Sequence, residues 1–156
     1  MREASFLQNF TAPMDILPAN LRDLGPLRRI EHACFSNDAW PLLDLIAVLT
    51  WPEVVRLKAV KDGQMIGFIA GDPRPSEAMA WIATVGVLPE YQQRGFGRAL
   101  LRECEQRLTQ PRIRLCVRVS NKTAIQLYQK EGYLAMDTWR EYYNDKENAL
   151  VMEKIR

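Results

Sequence analysis

The sequence predicts a mixed α/β sandwich built around one sheet, and three observations carry that prediction. The spacing of apolar residues switches along the chain between the helical period and the strand period. The segments so marked run strand, two helices, three strands, helix, strand, helix, two strands. The chain has 156 residues, 47% hydrophobic and 26% charged, which suits one globular domain with a real core. Alternating helices and strands in one such domain pack as layers about a common sheet.

Residues 1 to 12 show no periodicity and read as a loose tail ahead of a single domain over 13 to 156. Met14 to Leu17 is a short first strand. Leu21, Leu24, Leu27, Ile30 and Cys34 recur at helical spacing, with Gly25-Pro26 placing the regular part from Pro26. Asp38-Ala39-Trp40-Pro41 opens a second helix that ends before Pro52. Val54 to Val60 and Gln64 to Ala70 flank the turn signal Asp62-Gly63 and form a hairpin. Asp72 to Pro75 reads as a loop. Met79 to Leu88 is a long apolar strand of the kind buried on both faces. From Gly97, Leu100, Leu101, Cys104 and Leu108 mark one helix face, and Pro111 stops it. Ile113, Leu115, Val117 and Val119 alternate with Arg114, Cys116 and Arg118, as in a half-buried strand. Ser120 or Asn121 caps a helix that runs to Glu131 and ends at Gly132. Tyr133 to Tyr142 and Ala149 to Lys154 are the last strands, joined by the polar turn Asn144-Asp145-Lys146.

Composition excludes several classes. A net charge of +2 argues for neither a nucleic-acid nor a membrane partner. The longest apolar run, Leu42 to Trp51, is half the length that spans a bilayer. Cys34, Cys104 and Cys116 are odd in number and far apart, and His32 is the single histidine, so no disulfide scaffold or metal site is expected. That usage, with no basic-then-apolar N-terminal leader, predicts the reducing cytoplasm.

The chemistry starts at Val85 to Leu101. An apolar strand enters a short loop, Gly95 and Gly97 stand one residue apart, and a helix pattern follows at once. Such a junction offers free backbone N–H groups and a positive dipole end, hence a phosphate site. A Walker loop needs Lys-Ser/Thr after its last glycine, and Arg98-Ala99 stands there instead. A dinucleotide fold needs a third glycine, where this chain has Leu100. What remains is Gln/Arg-x-x-Gly-x-Gly/Ala, met by Gln92, Gly95 and Gly97. A tight turn that binds nothing is the plain alternative.

That pattern resembles the loop of the GNAT N-acetyltransferase superfamily. So does Val119-Ser120-Asn121-Lys122-Thr123-Ala124-Ile125-Gln126-Leu127-Tyr128 up to Gly132-Tyr133, which is similar to the family's Asn-x-x-Ala-x-x-Leu-Tyr-x-x-x-Gly-Phe/Tyr. The resemblance spans roughly Leu17 to Met152 and is strongest from Trp81 to Gly132. It implies a single domain with a mostly antiparallel sheet of six or seven strands, splayed at the cofactor strand, and about four helices on its two faces. It implies acetyl-CoA as cofactor, held by Val85, Gly86 and Val87 of the splayed strand, by Gln92, Gln93, Arg94, Gly95, Phe96, Gly97 and Arg98 of the loop, and by Asn121 and Tyr128. Gly86 would ease a bulge that opens the sheet. Tyr128 is the implied general acid and the Val87 N–H the oxyanion donor. The RimI-like, protein N-terminal branch is favoured by Cys34-Phe35-Ser36, Trp40-Pro41 and Arg140 to Tyr143, with Phe35, Trp40 and Tyr142 shaping the acceptor groove.

The expected reaction is direct acetyl transfer from the thioester to a primary amine. The amine must be neutral to attack. With pKa values near ~8 for an α-amine and ~10.4 for lysine, deprotonation at neutral pH costs roughly 1–2 and 4–5 kcal/mol respectively. A protein N-terminus therefore needs less help. The family's base position holds Cys116, whose thiol is a poor standing base. It reads as a small strand residue beside a relaying water, or as an acetylated nucleophile without a histidine to activate it. A small amine as acceptor and a non-catalytic CoA-binding module are the competing functions. The strand near Tyr142 and the apolar helix at Leu42 leave both monomer and homodimer open.

Overall fold

The computed structural model describes residues 14–156, so the tail expected over residues 1–12 lies outside the described residues. Seven strands form one sheet in the order β1-β2-β3-β4-β5-β7-β6. They are β1 (Asp15–Pro18), β2 (Val55–Lys61), β3 (Gln64–Arg74), β4 (Met79–Val87), β5 (Arg112–Arg118), β6 (Leu134–Trp139) and β7 (Ala149–Ile155). Every neighbouring pair is antiparallel except β4 and β5. The helices are α1 (Leu24–Phe35), α2 (Leu42–Thr50), α3 (Phe96–Arg107) and α4 (Lys122–Lys130).

The helices start and stop for local reasons. Asn20 caps a 3₁₀ turn over Leu21–Asp23 by accepting from the Arg22 N–H, while Asp23 accepts from the Asn20 N–H. The chain passes straight into α1 at Leu24, two residues before Pro26. Pro26 falls in the first turn, where N–H groups have no intrahelical partner, so it interrupts nothing. The Asn121 side chain caps α4 by accepting from the Ala124 N–H, and Gly132, at φ +96°, ends it.

Side-chain alternation sets the layers. On β3, a Cβ at Gly67 or Gly71 would meet Leu100, or Cys104 and Leu108, so α3 covers that face. Gly86 of β4, opposite Phe68, points the other way, and a Cβ there would meet Ile30, Cys34 and Phe35 of α1 at 3.3–3.4 Å. The core fills the space between, with Leu27, Ile30, Ile69, Leu100, Leu101 and Ile113 all nearly inaccessible.

Three local expectations change. β3 does not end at Ala70 but continues through Asp72 and Pro73 to Arg74, paired with Trp81, Ala80 and Met79. The pairing of β2 with β3 stops at Val55 and Gly71, so Pro73 sits on a free edge where its missing N–H costs no ladder bond. The bulge in β4 is at Ala83, the residue skipped between Ile82, opposite Gly71, and Thr84, opposite Ala70. Gly86 is in regular register instead, and its bare backbone lets α1 come close. β4 is also not buried along its length, because residues 83–86 are at least partly exposed. The reason is the sheet itself. β5 pairs with β4 only from Met79 to Trp81, and the two strands then part.

Candidate active site

The parting of β4 and β5 creates the site. The Leu88 N–H donates to Ile66 O at 2.8 Å, which makes that a hydrogen-bonded pair of the β3–β4 ladder. Such pairs alternate along antiparallel strands, so Gly86 turns its N–H and C=O toward β3. Val85 and Val87 turn theirs toward the gap left by β5. The Val87 carbonyl receives the Cys34 S–H at 3.1 Å and the Gln92 side-chain amide at 2.9 Å.

Two clefts meet at this gap and share Val85, Gly86, Val87, Gln92, Asn121, Ala124 and Tyr128. One, of about 640 Å³, lies over the loop between β4 and α3. Gln93 (φ +61°) and Gly95 (φ +88°) are both left-handed there, and no side chain caps α3. Its first N–H groups are therefore open to the cleft. Arg94, Arg98 and Lys130 line it and no carboxylate does, so it suits a polyanion. Arg98 Nε lies 2.9 Å from Glu131 Oε1 without an aligned hydrogen bond, and Arg94 stacks on the Tyr91 ring at 5.6 Å. A Cβ at Gly97 would make only ordinary contacts at 3.9 Å, so packing does not require glycine there. Phe96 is the exception among the loop residues. Its side chain is buried, edge-on to Tyr91 at 6.2 Å, and it does not line the cleft.

The second cleft, of about 530 Å³, lies between α1, the α1–α2 loop, β5 and the β6–β7 loop. Phe35, Trp40 and Tyr142 all stand on its wall, as does Cys116. Tyr142 continues a row of rings, 5.5 Å from Trp139 and 5.0 Å from Tyr143. Arg118, at the end of β5, holds the rim together. It bonds Asp38 of one loop and Asp145 and Glu147 of the other, and it stacks on Tyr143 at 4.2 Å. Asn144 adds bonds to Asn37 and Asp38. Asp145 and Glu147 are thereby held below the usual carboxylate range, Asp145 first by the Glu147 N–H and Glu147 first by Ser120, both helped by Arg118.

Tyr128 lies where the clefts join. Its ring is buried, edge-on to Tyr133 at 6.0 Å, and burial pushes its hydroxyl up to about 12. Tyr128 lines both clefts. Cys116 is half-buried and its thiol is pushed up to about 11, so it stays protonated at neutral pH. A thiol in that state is neither a base nor a ready nucleophile. Cys116→Ala is therefore expected to keep kcat within about threefold, and loss of turnover in an initial-rate assay would assign the sulfur a chemical role.

Sequence reasoning missed Glu31, Cys34 and Asp38 as cleft residues, and Arg118 as the clasp of its rim. For Glu31 a signal was present. Leu27, Ile30, Glu31 and Cys34 follow the i, i+3, i+4, i+7 spacing of one helix face, and a carboxylate stands among the apolar residues. Asp38 and Arg118 come together only where distant loops meet in the fold. Among the described residues no cluster of three or more His, Cys, Asp or Glu could hold a metal ion, and no helix is long and apolar enough to cross a membrane.

Comparison with known proteins agrees with this geometry. Residues 24–133 match the model of the Acetyltransferase (GNAT) family. The chain is 31% identical to the N-alpha-acetyltransferase RimI of Mycobacterium tuberculosis over 137 residues, covering 85% of this chain and 86% of that protein. It is 27% identical to N-alpha-acetyltransferase 50 of Danio rerio over 146 residues, covering 90% and 85%. The crystal structure of the ribosomal-protein-S18-alanine N-acetyltransferase from Escherichia coli superposes with a TM-score of 0.81 at 27% identity, covering 91% of this chain and 93% of that one. A match over most of the chain, on a sheet split at β4 and β5 beside a glycine loop, has one reading: the protein belongs to the Acetyltransferase (GNAT) family.

Proposed function

We propose that the protein acetylates the α-amine of a protein or peptide N-terminus in the cytoplasm, with acetyl-CoA as donor. The observation that carries this is the backbone segment Val85–Val87, reached from both clefts through the split in the sheet. A pantetheine arm laid along β4 from the basic cleft brings its thioester to the point where an amine arrives from the aromatic one. Gln93 to Arg98 hold the pyrophosphate on free N–H groups, with Arg94, Arg98 and Lys130 supplying charge. The Val87 N–H stabilises the oxyanion that forms as the amine attacks. Tyr128 stands at the junction as the acid for the leaving thiolate. Phe35, Trp40 and Tyr142 give the acceptor an open aromatic wall, which fits a peptide better than a small charged amine. The α-amine is favoured over lysine because it surrenders its proton at lower cost.

The test combines binding and turnover. Saturating acetyl-CoA, at about 100 times Kd, stabilises the folded state by ~2.7 kcal/mol, a Tm rise of about 5–10 °C for a domain of this size. An activity screen of peptides with varied N-termini beside polyamines and amino acids then reads the acceptor. Turnover confined to peptides is expected. No thermal shift removes the cofactor assignment, and turnover confined to small amines removes the peptide assignment.

A further inference from the structure

Glu31 stands in surroundings that are unusual for a carboxylate. It is 2% exposed, yet it lines the acceptor cleft together with Val85, Gly86 and Val87. It sits on the face of α1 that packs on β4, one turn before Cys34, whose sulfur touches the Val87 carbonyl. One carboxylate oxygen accepts from the Trp40 N–H at 3.2 Å and the other from the Thr84 hydroxyl at 3.3 Å. Each oxygen keeps a lone pair free.

The other carboxylates of this cleft are Asp38 and Asp145, and both are bonded to Arg118. The Glu147 N–H and Arg118 hold Asp145 below the usual carboxylate range, and the Asp38 oxygens accept from Arg118 and the Asn144 N–H. Glu31 has no Lys, Arg or His within salt-bridge distance among the described residues, and its bonds come from neutral donors only. Burial raises its pKa above the ordinary carboxylate value, partly offset by the Trp40 and Thr84 bonds and by the neighbouring charge of His32. β4 faces it with neutral groups, β5 brings Cys116 and Arg118, and α4 brings Tyr128. Cys34 on its own helix and Cys116 across the cleft are both thiols pushed up to about 11, so neither competes for a proton.

We propose that Glu31 is the general base of this enzyme, taking the first proton of the acceptor ammonium directly or through one water. The step rests on the N-acetyltransfer reading above. One ammonium proton passes to the Glu31 carboxylate, and the freed lone pair forms the C–N bond to the thioester carbonyl. The tetrahedral intermediate breaks its C–S bond, and the sulfur takes the Tyr128 proton. Tyr128 is restored by the second proton from the former amine nitrogen. Glu31 then releases its proton to solvent, so one proton leaves per amide formed.

Glu31→Gln tests this, because it keeps the volume and loses the proton acceptor. With a peptide acceptor, wild-type kcat/KM is expected to rise with pH through a midpoint below that of the amine itself. In Glu31→Gln the amine must arrive already neutral, so the midpoint moves up to the amine's own value, near ~8. At pH 7 the loss is expected to reach about 10²-fold or more. Glu31→Asp retains a carboxylate and is expected to keep the lower midpoint with a smaller loss. Activity of Glu31→Gln within threefold of wild type overturns the assignment. So does a loss with an unmoved midpoint, which is what a purely structural tie between Trp40 and Thr84 would give. In either case wild-type peptide acetylation leaves the N-acetyltransfer reading standing. A wild-type protein that acetylates no amine overturns that reading and this assignment with it.

Discussion

Tyr128→Phe is expected to lower kcat by about 10²-fold or more with a good acceptor, while the Kd for acetyl-CoA stays within a few fold. The ring is a packing element, edge-on to Tyr133 and enclosed in the core, so phenylalanine keeps the fold. The hydroxyl is what disappears, and Tyr128 lines both clefts where they meet. Burial holds its pKa near 12, so it carries its proton throughout the physiological range. That value also makes it a weak acid toward a thiolate, whose parent thiol has a pKa near ~8.5. Full transfer to a free thiolate would therefore be uphill. Acting as the acid, Tyr128 would instead donate a hydrogen bond to the sulfur as charge develops, and yield its proton as it receives one from the amine nitrogen. Single-turnover rates with preformed acetyl-CoA complex read this step without product release. Unchanged kcat in the phenylalanine variant would remove the hydroxyl from the mechanism.

Phe96→Ala is expected to have the largest effect on stability, about 3–5 kcal/mol, with a Tm fall of roughly 10 °C. Phe96 is the first residue of α3 and 5% exposed. Its ring packs on Tyr91 at 6.2 Å, with Lys61 Nζ 6.0 Å above its centre. It is the apolar pin that fixes the loop from Gln92 to Gly95 to the core. Without it the loop N–H groups lose their common orientation, so acetyl-CoA affinity falls along with Tm. Phe96→Leu, which refills most of the space, is expected to recover most of both. Chemical denaturation and calorimetric titration separate the two effects. An alanine variant of native stability that binds acetyl-CoA weakly would mean that the ring touches the cofactor instead.

Much of the fold was legible because it is local. Apolar spacing placed the four helices and the seven strands, and the Asn121 cap and the Gly132 stop are determined within a few residues of themselves. The glycine loop was legible for the same reason: Gly95 needs its left-handed backbone whatever surrounds it. Sequence and structure part where a residue's environment depends on a distant element of the fold. Pro73 reads as a loop in sequence, and it lies in β3 because β2 ends beside it. Gly86 reads as the seat of a bulge, and it is small because α1 crosses there, while Ala83 takes the extra position.

The candidate site divides in the same way. The sequence by itself determined the glycine loop, the capping Asn121, the tyrosine at 128 and the thiol at 116, because each is a residue type at a fixed spacing. Only the tertiary structure decided what these residues can do together. It parts β4 from β5 beyond Trp81, which exposes the Val85 and Val87 backbone to two clefts at once. It also buries Glu31 beside that gap with no salt-bridge partner among the described residues, while Arg118 gathers the neighbouring carboxylates from two loops more than a hundred residues apart. Burial and pairing are properties of the whole packed chain, and they separate one carboxylate from another where the sequence shows only their chemical type.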